Sequence, residues 1–144
     1  MSYSIDVNIL LYASDRTSPQ HAAAAEFLQR RADDSEVFYL TWPVLMSYLR
    51  IATHPHIFRE PLSPRDALGN IEALLSLPQV RLLHEEEGFL QVYRAVTDDL
   101  AARGNLVPDA HLAALLRQHH VRRLYTNDAD FKKFDSLDVR NPFS

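Results

Sequence analysis

Short β-rich runs alternate with stretches of helical periodicity along the whole chain, and this alternation restricts the fold more than any other feature. Residues 3–6 read as a first strand, followed by a helical start over 8–13. Pro19 falls in the first turn of a second predicted helix reaching to about residue 32, with Ala22, Ala25, Phe27 and Leu28 as its apolar stripe. A β-rich run over 37–41 leads into a helix opened by Pro43 and extending to about residue 53. Ser63 caps a helix that starts at Pro64 and carries Leu68, Ile71, Leu74 and Leu75. Residues 80–83 form the next candidate strand. Phe89, Tyr93, Val96 and Leu100 then recur at helical spacing up to Gly104, and residues 109–119 follow as a further helix. Short strands over 124–126 and 137–139 close the series.

Strands separated by helices pair in parallel and need helices on their faces. The expected fold class is therefore α/β: a short parallel sheet flanked by helices, with its binding crevice beyond the carboxyl ends of the strands. A chain of 144 residues with 47% apolar and 24% charged residues supports one hydrophobic core, so residues 1–144 are expected to form one domain. No apolar run approaches the length of a membrane span and no basic-then-apolar leader is visible, which makes the cytoplasm the expected compartment. The absence of cysteine excludes disulfides, thiolate zinc sites and cysteine nucleophiles. With only three glycines there is no glycine-rich phosphate loop. The net charge of −4 runs against a nucleic-acid grip, but thirteen of the fifteen basic residues are arginines, which suit phosphate contacts or reflect a coding bias, so composition is silent on partners.

The crevice should be lined by whatever stands at the strand ends. Asp6 ends the first strand, Asp128 follows a late strand, and Asp109 opens a helix after Pro108. Taken singly, Asp109 could be a helix cap and Asp128 a turn residue. Asp6 is harder to explain, because a carboxylate at the edge of an α/β core is costly without a partner. If the three converge, two carboxylates ~5 Å apart repel by about 3 kcal/mol at an effective dielectric of 20. Either a proton is shared or a cation neutralises the group. An all-oxygen donor set selects a hard cation, Mg²⁺ or Mn²⁺, and a metal-activated water attacking a phosphodiester is the chemistry such a site supports.

At these residues the chain resembles a known family. The opening Ile5-Asp6-Val7-Asn8-Ile9-Leu10-Leu11-Tyr12-Ala13, the segment Arg50-Ile51-Ala52-Thr53-His54-Pro55, the helix start Asp109-Ala110-His111-Leu112-Ala113-Ala114, and Tyr125-Thr126-Asn127-Asp128-Ala129-Asp130-Phe131 are similar to PIN-domain ribonucleases and, among them, to VapC-type toxins of toxin–antitoxin modules. The resemblance implies an α/β/α domain, a Mg²⁺-dependent endoribonuclease acting on RNA, dimerisation, and neutralisation by a VapB-type antitoxin. Carried over by position, Asp6, Asp109 and Asp128 match three of the family's acids and would be both catalytic and metal-holding. Asp130 is an auxiliary acid, and Asn8 and Thr126 match polar positions beside the acids. Family members often carry a glutamate three residues before the arginine matched by Arg50; Ser47 stands there instead. A hydroxyl can hold water but supplies no charge, so a second metal site is expected to be weak.

Other candidates carry less. The pairs His54/His56 and His119/His120 lack any zinc-ligand spacing. Arg50 and His54 share a helix face with Ser47, and Lys132 and Lys133 flank the Asp128 turn. Arg50, Lys132 and Lys133 are either solvated charges or contacts to RNA phosphates. The run Glu85-Glu86-Glu87 reads as a helix N-terminus. An aspartate after the first strand also opens phosphoaspartate phosphatases, but these need an acid where Asn8 stands. A domain that binds RNA or an antitoxin and cleaves poorly is the other reading left open by Ser47. Finally, the apolar surplus on the last two long helices, including Tyr93, Leu115 and Leu116, points to a two-fold homodimer.

Overall fold

A computed structural model describes residues 1–143; Ser144, the last residue of the expected domain, lies outside the described residues. Five strands, β1 (Ser2–Ile5), β2 (Val37–Thr41), β3 (Val80–Leu83), β4 (Arg123–Tyr125) and β5 (Asp138–Arg140), form one sheet in the order β3-β2-β1-β4-β5. Every adjacent pair is parallel. The helices are α1 (Val7–Ser14), α2 (His21–Ala32), α3 (Trp42–Ala52), α4 (Pro64–Leu75), α5 (Phe89–Thr97) and α6 (Leu106–Gln118), with a 3-10 turn over Ala129–Lys133. Among the described residues no helix is long and apolar enough to cross a membrane.

Strand order explains where a site can form. From β1 the chain steps through β2 to β3 on one side, then returns across the sheet to β4 and β5 on the other. Right-handed crossovers in opposite directions put their helices on opposite faces. The carboxyl ends of β1 and β4 therefore flank the switch point where the chain opens a crevice. Their register, Ile5 opposite Tyr125, is extended by the Asp6 N–H donating to the Tyr125 carbonyl at 3.0 Å.

The central strands are buried where helices cover the sheet. β2 carries the run Val37-Phe38-Tyr39-Leu40, whereas β1 alternates Tyr3 and Ile5 with Ser2 and Ser4, and the buried Ser4 hydroxyl donates to the Tyr39 carbonyl at 2.7 Å. Tyr3, Ile5, Phe38, Leu40 and Leu124 are fully inaccessible, and Ile9, Leu45, Leu115 and Leu116 close over them. Burying each such aliphatic side chain contributes about 1.5–3 kcal/mol. Leu115 and Leu116 thus belong to the core, and Tyr93 packs partly buried against it. The surplus that suggested a dimer face is used inside the molecule, where α5 lies against α6. The large apolar side chains left exposed are instead Trp42, Met46, Ile57, Leu68, Leu90 and Val107, besides Met1.

Several boundaries differ from the sequence reading. Pro19 precedes the N-cap Gln20 of α2 and lies outside the helix. Helix α5 stops at Thr97 rather than continuing to Gly104. Its end is marked by the Thr97 hydroxyl donating back to the Tyr93 carbonyl at 2.8 Å, and Asp98 and Asp99 oppose the negative end of the helix dipole. Helix α6 starts at Leu106, so Asp109 sits in its first turn and does not open it. Pro108 is tolerated there because the first N–H groups of a helix have no partner within it. The Glu85-Glu86-Glu87 run is a loop ahead of α5. Glu85 meets His111 at 2.6 Å, and Gly88 supplies the left-handed turn (φ 83°) into the helix.

Candidate metal centre at the sheet switch point

Asp6 leaves β1 as the N-cap of α1. One carboxylate oxygen accepts from the Val7 N–H at 2.7 Å and the other from the Thr126 hydroxyl at 2.9 Å. The Thr126 oxygen in turn accepts from the Asn8 side-chain amide at 3.3 Å and from the Asp128 N–H at 3.0 Å. One fully buried hydroxyl therefore couples the end of β1, the start of α1 and the turn after β4. Asp128 then caps the 3-10 turn by accepting from the Asp130 N–H at 2.9 Å.

The carboxylates converge. One oxygen each from Asp109, Asp128 and Asp130 lies within 4.8 Å of the others. Asp6 is not in that tight group; each of its oxygens accepts one hydrogen bond and keeps a free lone pair, and it shares with Asp109 a small cleft of about 80 Å³. Val7, Pro43, Val44, Ser47, Pro108, Leu112 and Phe131 complete the cleft. Ser47 therefore faces the acids, and Asp130, expected only as an auxiliary, stands with the principal ones. Lys133 approaches Asp130 at 3.7 Å, whereas Lys132 and Arg50 are exposed and make no ion pair among the described residues.

Electrostatics reflect the crowding. Burial, followed by the charges of Asp6, Asp128 and Asp130, pushes the Asp109 carboxyl up to about 6, against a smaller opposing pull from Lys133. Burial also raises Asp6, opposed by the hydrogen bonds from Val7 and Thr126, with Asp128 adding to the rise. With one oxygen each inside a 4.8 Å group, Asp109, Asp128 and Asp130 would hold a hard cation. Carboxylate-only donors suit Mg²⁺ or Mn²⁺ and not zinc. No histidine joins the group among the described residues: His119 points its Nε2 at the His84 carbonyl (2.6 Å), and the His56 N–H donates to His54.

The PIN domain model matches residues 3–137. Ribonuclease VapC48 of Mycobacterium tuberculosis is 45% identical over 144 residues, covering 100% of this chain and 99% of that protein. This chain is a PIN domain of the VapC family. Ribonuclease VapC43 of the same species is 36% identical over 138 residues, covering 96% of this chain and 93% of the relative. Among solved structures, VapBC2 from Rickettsia felis bound to a DNA fragment from its promoter aligns with a TM-score of 0.70 at 17% identity, covering 98% of both chains. Mycobacterium tuberculosis VapC20, described as a sarcin-ricin-loop-cleaving toxin, aligns at 0.65 and 18% identity over 90% of this chain and 92% of its own. Both share the fold.

Two parts of the PIN site are not marked by acids in the sequence. The walls Val7, Pro43, Pro108 and Phe131 are ordinary apolar residues there. A polar brace behind the Asp128 turn runs from Asn141 to Asn127 (2.8 Å) and from Asn127 to the Tyr12 hydroxyl (3.1 Å). Asn127 stands in the Asp128 segment, but its partners are far away in the chain.

Proposed function

We propose that the whole chain, 1–144, acts as one PIN domain and is a metal-dependent endoribonuclease, the toxin of a type II toxin–antitoxin module. The observation that carries this reading is the meeting of Asp109, Asp128 and Asp130 within 4.8 Å, beside Asp6, at the switch point of the sheet. Full-length similarity to a relative named as a ribonuclease supports the same chemistry. Mg²⁺ is the proposed ion, with Mn²⁺ a substitute. Bound among the acids, it would lower the pKa of a water and polarise a phosphodiester oxygen.

The chain's own residues do the rest. Asp6, Asp109 and Asp128 hold the ion, and Asp130 completes the donor set. Asn8 and Thr126 keep Asp6 and the Asp128 turn in fixed relation through hydrogen bonds of 2.9–3.3 Å. Ser47 hydrogen-bonds water in the cleft without adding charge. Arg50, Lys132 and Lys133 contact RNA phosphates and offset the repulsion between an acidic site and a polyanion. A VapB-type antitoxin neutralises the protein, a homodimer is its working form, and the cytoplasm is its place of action.

Incubating the protein with single-stranded RNA in Mg²⁺ should give internal cuts. The cuts should vanish with EDTA and with Asp109→Asn. Absence of cutting in Mg²⁺ and Mn²⁺ alike would overturn the nuclease reading. A second reading is favoured by Ser47 lining the cleft where the family often has an acid: a domain that binds RNA or antitoxin and cleaves weakly. RNA binding without turnover would select it.

A further inference from the structure

Trp42 is the only tryptophan in the chain, and it is 43% exposed. It opens α3 directly ahead of Pro43, a wall of the acidic cleft. One turn on, Met46 is 55% exposed, and one turn further Arg50 is exposed without an ion pair among the described residues. Residues spaced by four share one ridge of a helix. The residues just after the first two, Pro43 and Ser47, both line the cleft, so this ridge runs along its rim.

Folding does not account for these side chains. The inward face of α3 is supplied by Val44, Leu45, Tyr48 and Ala52. The first helical position gains nothing from an indole, whose helix propensity is middling. An aromatic surface, a flexible thioether and an unpaired guanidinium beside a phosphodiester-cleaving site match what a single RNA strand offers, namely a base face and a phosphate.

Resting on the ribonuclease reading, we infer that Trp42 and Met46 form a stacking platform for a nucleobase next to the phosphate that enters the acidic cleft, while Arg50 holds the neighbouring backbone. The platform selects RNA whose base at that position is unpaired, since a base inside a duplex presents no free face. It tolerates different bases, because each has a face to stack.

The lone tryptophan makes the test direct. Full-length protein carrying Asp109→Asn, which keeps the RNA intact, is titrated with a short single-stranded oligoadenylate while Trp42 fluorescence is followed. Quenching that saturates with binding is expected, and an abasic strand of equal length should not quench. In the chain with all acids intact, Trp42→Ala should raise KM for RNA cleavage about tenfold with kcat changed less than about twofold, and Trp42→Phe should recover most of the loss. Bound RNA without quenching, equal quenching by the abasic strand, or an unchanged KM in Trp42→Ala overturns the platform. If Trp42→Ala instead splits a dimer in light scattering and leaves KM alone, the ridge is a protein contact and the inference is wrong. Cleavage with a silent Trp42 sinks only the platform. No cleavage and no RNA binding sinks the ribonuclease reading together with it.

Discussion

Two very different concavities share α3 as a wall. Between α1, α2, α3 and α4 is a cavity of about 460 Å³ lined by Leu10, Ala13, Ala25, Leu28, Ala73, Leu74 and Leu77, with Ser14, Tyr48 and Asn70 hydrogen-bonded at its floor. The acidic cleft is only about 80 Å³. The large cavity exists because alanines stand where four helices meet and leave room that no side chain fills. It contains no carboxylate, lysine, arginine or histidine. The small one exists because strand ends and a helix start aim carboxylates at one point, and the charge density keeps them from packing together. Size is a poor guide between these two, since the larger one holds no titratable side chain other than Tyr48. Convergence of like charges, which costs stability, is what sets the small cleft apart.

The sharpest way to break this contrast is to neutralise a member of the carboxylate group that meets at Asp109 beside the cleft. Asp128→Asn should lower kcat for RNA cleavage by on the order of a thousandfold, equivalent to the several kcal/mol a bound metal supplies, while the thermal transition stays cooperative. An active Asp128→Asn protein would remove the cleft's claim to the chemistry. Leu10→Ala probes the other region. Leu10 is only 3% exposed and lines the large cavity, so the change should cost about 3 kcal/mol in denaturant unfolding. Mn²⁺ affinity should not move.

A third test compares how the two regions respond to pH. The folded-state value of about 6 for Asp109 exceeds its ordinary 3.8, so the metal-free folded protein binds that proton more tightly than the unfolded chain does. The stabilisation is complete below the unfolded value and is lost as pH rises through about 6. Stability in EDTA should therefore fall by about 1 kcal/mol between about pH 4 and about pH 6.5, after allowing for solvent screening of this part-exposed group. Asp109→Asn should flatten that slope and Mn²⁺ should reverse it; Leu10→Ala should leave it unchanged. The smallest expected effect is at Ser47. Its replacement by glutamate returns a charge to the cleft wall, and Ser47→Glu should tighten Mn²⁺ about fivefold in calorimetry. Unchanged affinity would show that the hydroxyl does not face the ion.

Much of the architecture was legible because it rests on local rules. The runs 37–41 and 80–83 were read as strands and are β2 and β3. Ser63 was read as a cap, and its hydroxyl accepts from the Asp66 N–H at 3.1 Å. Both depend on side chains within a few residues of each other. The end of α5 was missed because Gly104 is a stronger local stop signal than Asp98 and Asp99, which act through the helix dipole. The start of α6 was missed because Pro108 and Asp109 each resemble a helix opening.

At the candidate site the same division holds. Residue order along the chain determined that Asp6 and Asp128 stand beside strand ends, since each follows a short β-rich run. It also determined that the position of a second acid carries a serine. Only the tertiary structure decided which carboxylates meet. Pairing of β1 with β4 joins segments about 120 residues apart and sets Thr126 against Asp6. The hydrogen bonds formed there fix the direction of the Asp6 carboxylate, and it is Asp130 that falls into the tight group with Asp109 and Asp128. Strand register and side-chain direction decide that outcome, and both depend on neighbours that are distant in sequence.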